Sequence, residues 1–145
     1  MYSGWDDPVG PPMDAVNYYK LVEKGMGGRE KTESFLRLFM VPGMGHCFGG
    51  PGPSLFGGPR SIVSSQIAID PEHDVLSALE QWVEKGSAPN YIIAAHLTND
   101  TLDRTRPVCP YPRIARWNGS GSSDDARSFT CVEAQDTTSN RQVTK

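Results

Sequence analysis

The sequence predicts an α/β fold: a short parallel sheet, two main helices and a loop-rich C-terminal region. Three observations carry that reading. The run Phe35-Leu36-Arg37-Leu38-Phe39-Met40-Val41 is apolar almost throughout, as strands buried on both faces are. A stretch of helical periodicity lies between that run and an earlier strand end at residues 2–7, the arrangement of a strand–helix–strand crossover. A second helical stretch, after Asp70-Pro71, carries boundary signals at both ends.

In chain order, residues 2–7 read as the end of a strand. The first helix is expected from about Asp14, after Pro11-Pro12, to Lys24, because Val16, Tyr19 and Val22 recur at helical spacing. Gly25, Gly27 and Gly28 stop it. The strand 35–41 follows, and residues 42–60, dense in Gly and Pro, form a long loop. The second helix takes Asp70 as cap and Pro71 as first residue, with Glu72 and Asp74 near its positive end. Val75, Leu76, Leu79, Trp82 and Val83 make its apolar face, and Gly86 and Pro89 end it. Tyr91 to Leu97 reads as a final short strand, Thr98 to Cys131 as mostly loop, and residues 133–145 as a polar, disordered tail.

A length of 145 residues accommodates one domain of ordinary size. The net charge of −3, with basic residues scattered rather than striped, gives no nucleic-acid signature. No run of about 18 apolar residues occurs, so no membrane span is expected. The opening residues Tyr2-Ser3-Gly4-Trp5-Asp6-Asp7 lack the pattern of a signal peptide. The three cysteines are an odd number, which in an exported protein points to a partner elsewhere and in a reducing cytosol to free thiols.

Chemistry concentrates at Asp7 and His46. His46 stands on a glycine-rich turn, Pro42-Gly43-Met44-Gly45-His46-Cys47, just after the apolar run. Asp7 follows the preceding strand end, with Asp6 as its competitor. A loop acid followed by a loop histidine is how the last two members of an α/β-hydrolase triad appear in sequence. The bland alternatives are a loop histidine satisfied by backbone groups and a strand-end turn, in which Asp-Asp-Pro is common. The separation, 46 − 7 = 39, leaves room for one crossover helix between adjacent parallel strands. It therefore predicts that the two side chains meet at one sheet edge. No Gly-x-Ser-x-Gly nucleophile turn occurs; Gly119-Ser120-Gly121-Ser122 has the wrong spacing.

These motifs resemble the tannase and feruloyl esterase family. The likeness rests on Gly4-Trp5-x-Asp7-Pro8, Pro11-Pro12, Tyr18-Tyr19 and Val41-Pro42-Gly43-Met44-x-His46-Cys47. It continues through Ala78-Leu79-x-x-Trp82-Val83-Glu84-x-Gly86-x-Ala88-Pro89 and Arg104-x-Arg106-Pro107-x-Cys109-Pro110-Tyr111-Pro112. The resemblance implies a serine carboxylic ester hydrolase acting on esters of aromatic acids such as gallate and ferulate; a terephthalate monoester hydrolase is in the same group. It implies that residues 1–132 are the C-terminal part of an α/β-hydrolase catalytic domain, with His46 as general base and Asp7 as its orienting acid. The serine is expected on an N-terminal part of the same enzyme, so this chain alone is expected to be inactive.

By the same resemblance, Cys109 and Cys131 form a disulfide, and Cys47 bridges to a cysteine beside the nucleophile, outside this chain. No cofactor is implied for this chain; the family's calcium site is on a lid domain that the chain lacks. The expected partner is a small aromatic ester, with no nucleic acid and no membrane, and the family implies a secreted or periplasmic location. The alternative is a non-catalytic truncated remnant or a complementing subunit of a split hydrolase.

Other features carry less. His73 in a helix's first turn and His96 in an apolar segment read as structural. Cys47 is poorly placed as a nucleophile beside the adjacent His46. No zinc spacing or calcium loop occurs, and Gly49-Gly50-Pro51-Gly52-Pro53 lacks the Lys-Ser or Lys-Thr ending of a phosphate loop. Asn99-Asp100-Thr101 and Asn118-Gly119-Ser120 fit the glycosylation acceptor pattern.

Overall fold

The computed structural model describes residues 1–57 and 66–134. Its architecture is α/β, and a parallel strand pair organises it. β1 (Tyr2–Gly4) pairs with β2 (Phe39–Val41), Ser3 lying opposite Met40. Helix α1 (Pro12–Met26) makes the crossover between them. It is two residues longer at each end than the periodicity predicts, starting on Pro12 and closing on a left-handed Gly27 whose N–H bonds to Glu23 O.

Alternate residues of β2 belong to different cores. Phe39 and Val41 pack with Met44, Phe56, Ala78, Ile92, Ala94 and Val108 on one face. Leu38, just before the strand, and Met40 pack with Val16 and Tyr19 of α1 on the other. Burial on both faces is what a parallel strand requires, and it is why the run reads apolar at every position but Arg37.

The strand itself is shorter than the expected 35–41. A five-residue helix, α2 (Arg29–Glu33), precedes it, and the N–H groups of Phe35 and Leu36 both bond to Thr32 O, closing a turn before the chain can extend. Thr32 is fully buried and its hydroxyl donates to Gly28 O at 3.0 Å. The sequence reading contains no helix here, because one turn is too short to show periodicity.

Helix α3 (Val75–Lys85) starts later than Asp70-Pro71 predicts. Asp74 is the cap, accepting from the N–H of Ser77 at 2.7 Å, whereas Asp70 accepts from the N–H groups of Glu72 and His73 and so closes a separate turn. Gly86 ends the helix as expected, in the left-handed region, with its N–H on Trp82 O. Of the predicted apolar face, Val75 packs on the core and Leu76, Leu79 and Val83 are exposed; Ala78 is the residue that is buried.

The C-terminal region is the largest departure. β3 (Ile92–Thr98) is not the last strand: a two-residue turn at Asn99-Asp100, both at positive φ, returns the chain into β4 (Thr101–Val108). β5 (Arg113–Trp117) and β6 (Phe129–Glu133) form a second antiparallel hairpin, with Ala115 opposite Cys131. About half of the expected loop over 98–131 is therefore sheet. Its strands are polar because one side faces solvent, and Thr101-Leu102-Asp103-Arg104-Thr105-Arg106 shows no clean apolar alternation. The Cys109–Cys131 disulfide ties the end of β4 to β6, with Cα atoms 5.7 Å apart. The tail expected from residue 133 begins inside β6, and its part from 135 onward lies outside the described residues, as do residues 58–65, which include the end of the expected 42–60 loop.

Candidate active site

Both loops of the site leave the C-terminal ends of the parallel pair, where α/β sheets collect functional side chains. Backbone bonds hold the loops together: Trp5 N–H donates to Val41 O at 3.0 Å and Asp6 N–H to Met44 O at 3.1 Å. That approach needs Gly4. A Cβ there would fall on the carbonyl oxygens of Met44 and Gly45. The second loop folds back on itself through Gly43 (φ 71°), whose C=O accepts from Gly52 N–H at 3.0 Å. A Cβ on Gly43 would lie 2.7 Å from the Gly52 backbone. Met44, fully buried, anchors the loop in the core one residue before Gly45-His46.

Asp7 and His46 meet. The imidazole Nδ1–H donates to Asp7 Oδ2 at 2.8 Å. The other carboxylate oxygen, Oδ1, accepts from the backbone N–H of Val9 at 2.8 Å and of Gly10 at 3.0 Å. The Gly10 N–H contributes most to holding the Asp7 carboxyl below the usual aspartate range; burial opposes it, and the Val9 N–H and His46 reinforce it. The Asp7 side chain is 8% exposed and that of His46 56%. Nδ1 is therefore engaged, and Nε2 has no protein partner among the described residues. Asp6, the competing acid, is exposed and does not reach the ring.

A histidine–carboxylate pair alone is not diagnostic here, since every histidine of the chain has one. His73 Nδ1 pairs with Asp70 at 2.8 Å, and His96 Nδ1 with Asp103 at 2.7 Å, whose other oxygen accepts from the Thr98 hydroxyl. The carboxylates there are 44% and 37% exposed. Only Asp7 combines a buried carboxylate, two backbone donors and a position at the parallel sheet edge. Those backbone donors are what sequence reasoning missed. The available signal was Pro8-Val9-Gly10 directly after the acid, a turn in which an aspartate accepts from N–H groups two and three residues on.

Cys47 is free and exposed, next to His46, and its backbone sits at φ 64°, a left-handed conformation uncommon for a residue with a side chain. Cys109 and Cys131 are bridged to each other. Among the described residues no group of three or more His, Cys, Asp or Glu is arranged to hold a metal ion. No described helix is long and apolar enough to cross a membrane.

A family model described as tannase and feruloyl esterase matches residues 1–132. The chain is 46% identical to an uncharacterized esterase of Xanthomonas campestris over 92% of its own length, and 38% identical to a mono(2-hydroxyethyl) terephthalate hydrolase of Piscinibacter sakaiensis over 91%. Its fold superposes on feruloyl esterase B of Aspergillus oryzae with a TM-score of 0.80 at 34% identity, over 90% of the chain. The chain spans 26%, 19% and 26% of those three proteins respectively.

Proposed function

We propose that this chain, which belongs to the tannase and feruloyl esterase family, supplies the base and its orienting acid to a serine carboxylic ester hydrolase. The observation that carries this reading is the 2.8 Å contact of His46 Nδ1 with the buried Asp7 carboxylate at the sheet edge. The nucleophilic serine comes from a segment that this sequence does not contain, and aromatic-acid esters are the substrate class that the relatives' names support.

In this mechanism Asp7 keeps the proton on Nδ1, so Nε2 is the basic nitrogen facing the site. As the serine oxygen attacks the ester carbonyl, Nε2 takes its proton. Asp7 stabilises the imidazolium that forms. Collapse of the tetrahedral intermediate breaks the carbon–oxygen bond, and Nε2–H returns the proton to the departing alkoxide. Water then repeats the sequence on the acyl-enzyme: Nε2 removes its proton, and the acid and the free serine are released. The Gly4 approach sets the distance between the two loops, and the Gly43–Gly52 approach folds the histidine loop on itself; together they hold the ring in one orientation.

Cys47 is held for a bridge to a cysteine beside the serine, a role that its exposure and its place next to His46 support. The Cys109–Cys131 bridge supports an oxidising, extracytoplasmic location. The second reading is a non-catalytic remnant or a complementing subunit of a split hydrolase; it shares with the first the absence of a Gly-x-Ser-x-Gly turn from this sequence.

A graft decides between them. Residues 1–132 replace the matching segment of the Xanthomonas campestris esterase, and the chimera is assayed on methyl ferulate. Turnover that His46→Ala removes supports the hydrolase reading. A folded chimera without turnover, beside an active parent, supports the remnant.

A further inference from the structure

Away from the catalytic loops, one group of charged side chains is left without its balance. It lies at the other end of β2 from His46, where the helical layer meets the start of β5. The Tyr111 N–H donates to Leu38 O at 2.7 Å and fixes the two segments side by side. Arg37 directly precedes Leu38, and Arg113 follows Tyr111 by two residues. The Tyr19 ring of α1 meets the Tyr111 ring edge-on, with centroids 6.2 Å apart, and packs in one core with Leu38. Three buried groups are thus gathered at one junction, and none has a hydrogen-bond partner among the described residues: Arg37 Nε, Arg113 Nε and the Tyr19 hydroxyl. A buried donor without an acceptor costs free energy, and more when the group is charged.

The nearby carboxylates do not supply the acceptor. Glu133 lies opposite Arg113 in the β5–β6 register, the natural place for an opposite-charge pair. It is turned to Arg29 instead, whose two terminal nitrogens donate to its oxygens at 3.0 and 3.1 Å. Glu33 accepts from Arg29 Nε at 2.6 Å. Arg29 therefore holds both acids, and the Arg113 guanidinium has neither ion pair nor hydrogen bond among the described residues. Burial and then Glu33 push the Tyr19 hydroxyl up; Glu23, one turn on in α1, adds to that and does not act on Arg37.

Arg37 is tethered. Its Cζ sits over the Trp82 ring, 5.5 Å from the centroid, and one terminal nitrogen donates to Pro89 O and Asn90 Oδ1, which leaves Nε over. Burial holds its guanidinium below the ordinary arginine range; Glu33 opposes this, and the Arg113 charge adds to it. Two cations are therefore held close enough to repel, with every acid beside them engaged elsewhere or out of reach.

We propose that Arg37, Arg113 and Tyr19 bind a small inorganic oxyanion of the phosphate or sulfate class. One such ion accepts from all three donors and stands between the two cations. Its several oxygens suit donors that come from α1, from the segment before β2 and from β5, and guanidinium N–H groups make their stronger, charge-assisted bonds to such oxygens. The bound ion joins the helical layer to the C-terminal hairpin. It takes no part in the ester chemistry, so the proposal stands apart from the hydrolase reading.

The test titrates inorganic phosphate into the purified chain at constant ionic strength, with chloride as the ion replaced. Calorimetry should show saturable one-to-one binding, and the melting temperature should rise with occupancy. Phosphate also stabilises proteins by exclusion from their surface, so the decisive readout is what variants lose. Tyr19→Phe keeps the ring and removes the hydroxyl. Arg113→Gln removes the unpaired cation. Each should weaken phosphate affinity by about tenfold or more, the scale of one charge-assisted hydrogen bond. Arg116→Gln, at an exposed position of β5, should leave it unchanged. Without phosphate, Arg113→Gln should melt no lower than the parent, which also checks that it folds. Absence of saturable binding overturns the proposal. So does binding that both Tyr19→Phe and Arg113→Gln retain, and so does a rise in melting temperature that parent and variants share equally.

Discussion

The Asp7 carboxylate divides its two oxygens between chain segments 39 residues apart: Oδ2 accepts from His46 Nδ1, and Oδ1 from the N–H groups of Val9 and Gly10. The acid is thus fixed by its own turn before it orients the ring. Replacing it with Asn leaves a side chain of the same shape whose amide face can present a donor to Nδ1, favouring the wrong tautomer. In the grafted esterase, Asp7→Asn should lower kcat by about 10³-fold or more, with a much smaller change in KM. Steady-state kinetics on methyl ferulate check this. An Asp6→Asn control should stay near the parent.

Alone, the chain should hydrolyse neither methyl gallate nor methyl ferulate, because triad members act as a unit and the serine is absent from this sequence. Turnover by the purified chain that disappears in His46→Ala would show that a nucleophile is present after all.

Acid should destabilise the fold through specific carboxylates. Asp7 is held below the usual aspartate value, first by the Gly10 N–H; Asp103 is held below it, first by the Thr98 hydroxyl and then by His96. A carboxyl lowered in the folded state binds its proton less readily there than in the unfolded chain. Its stabilising contribution is complete above the unfolded value of about 4 and is lost as the pH falls through the lower folded value. Melting temperature should therefore drop below about pH 4. Asp7→Asn and Asp103→Asn should each flatten that drop, which circular dichroism melts from neutral to acid pH will read.

Gly4→Ala should destabilise the chain by about 1–3 kcal/mol, the range for an added group in a close-packed site. The new Cβ meets the carbonyl oxygens of Met44 and Gly45, which are backbone and cannot rotate aside. Urea denaturation gives the stability. Loss of the Asp7–His46 bond, followed through the imidazole NMR signals, would show that the same contact positions the histidine loop.

Thiol chemistry should separate the three cysteines. Without reductant, an alkylating reagent should modify Cys47 alone, and peptide mapping should recover Cys109 joined to Cys131. Replacing both members of that pair with Ala should cost about 3 kcal/mol in the chain-entropy account of a loop of this length. A Cys47 found bridged to either of the others would reverse the assignment.

The site was more legible than the sheet that surrounds it. Asp7 and His46 announce themselves because Pro8 and Gly43 punctuate the chain beside them, and local punctuation survives in one dimension. The crossover between them is legible because Val16 and Tyr19 repeat at helical spacing and end buried in one core. The start of α3 is ambiguous because Asp70 and Asp74 both bond to N–H groups two or three residues on; the backbone bonds to Asp70 O end at Asp74, and the helix starts afresh from Asp74, whose backbone is extended (φ −129°). The β3–β4 hairpin is hidden for a different reason. Arg104 and Arg106 lie opposite His96 and Ala94, a pairing made by backbone bonds rather than by apolar side chains, and side-chain pattern does not record it.

One strand of three residues forms the wall between two cores, with Val41 fully buried on one side and Leu38, just before the strand, on the other. Neither the helical layer nor the hairpin layer can release its side chains without removing that wall from the other. The chain should therefore lose both layers in a single transition, and a protease should find either the intact body or a wholly opened one. Such coupling makes the Asp7 loop, on the helical side, and the His46 loop, on the hairpin side, fail together.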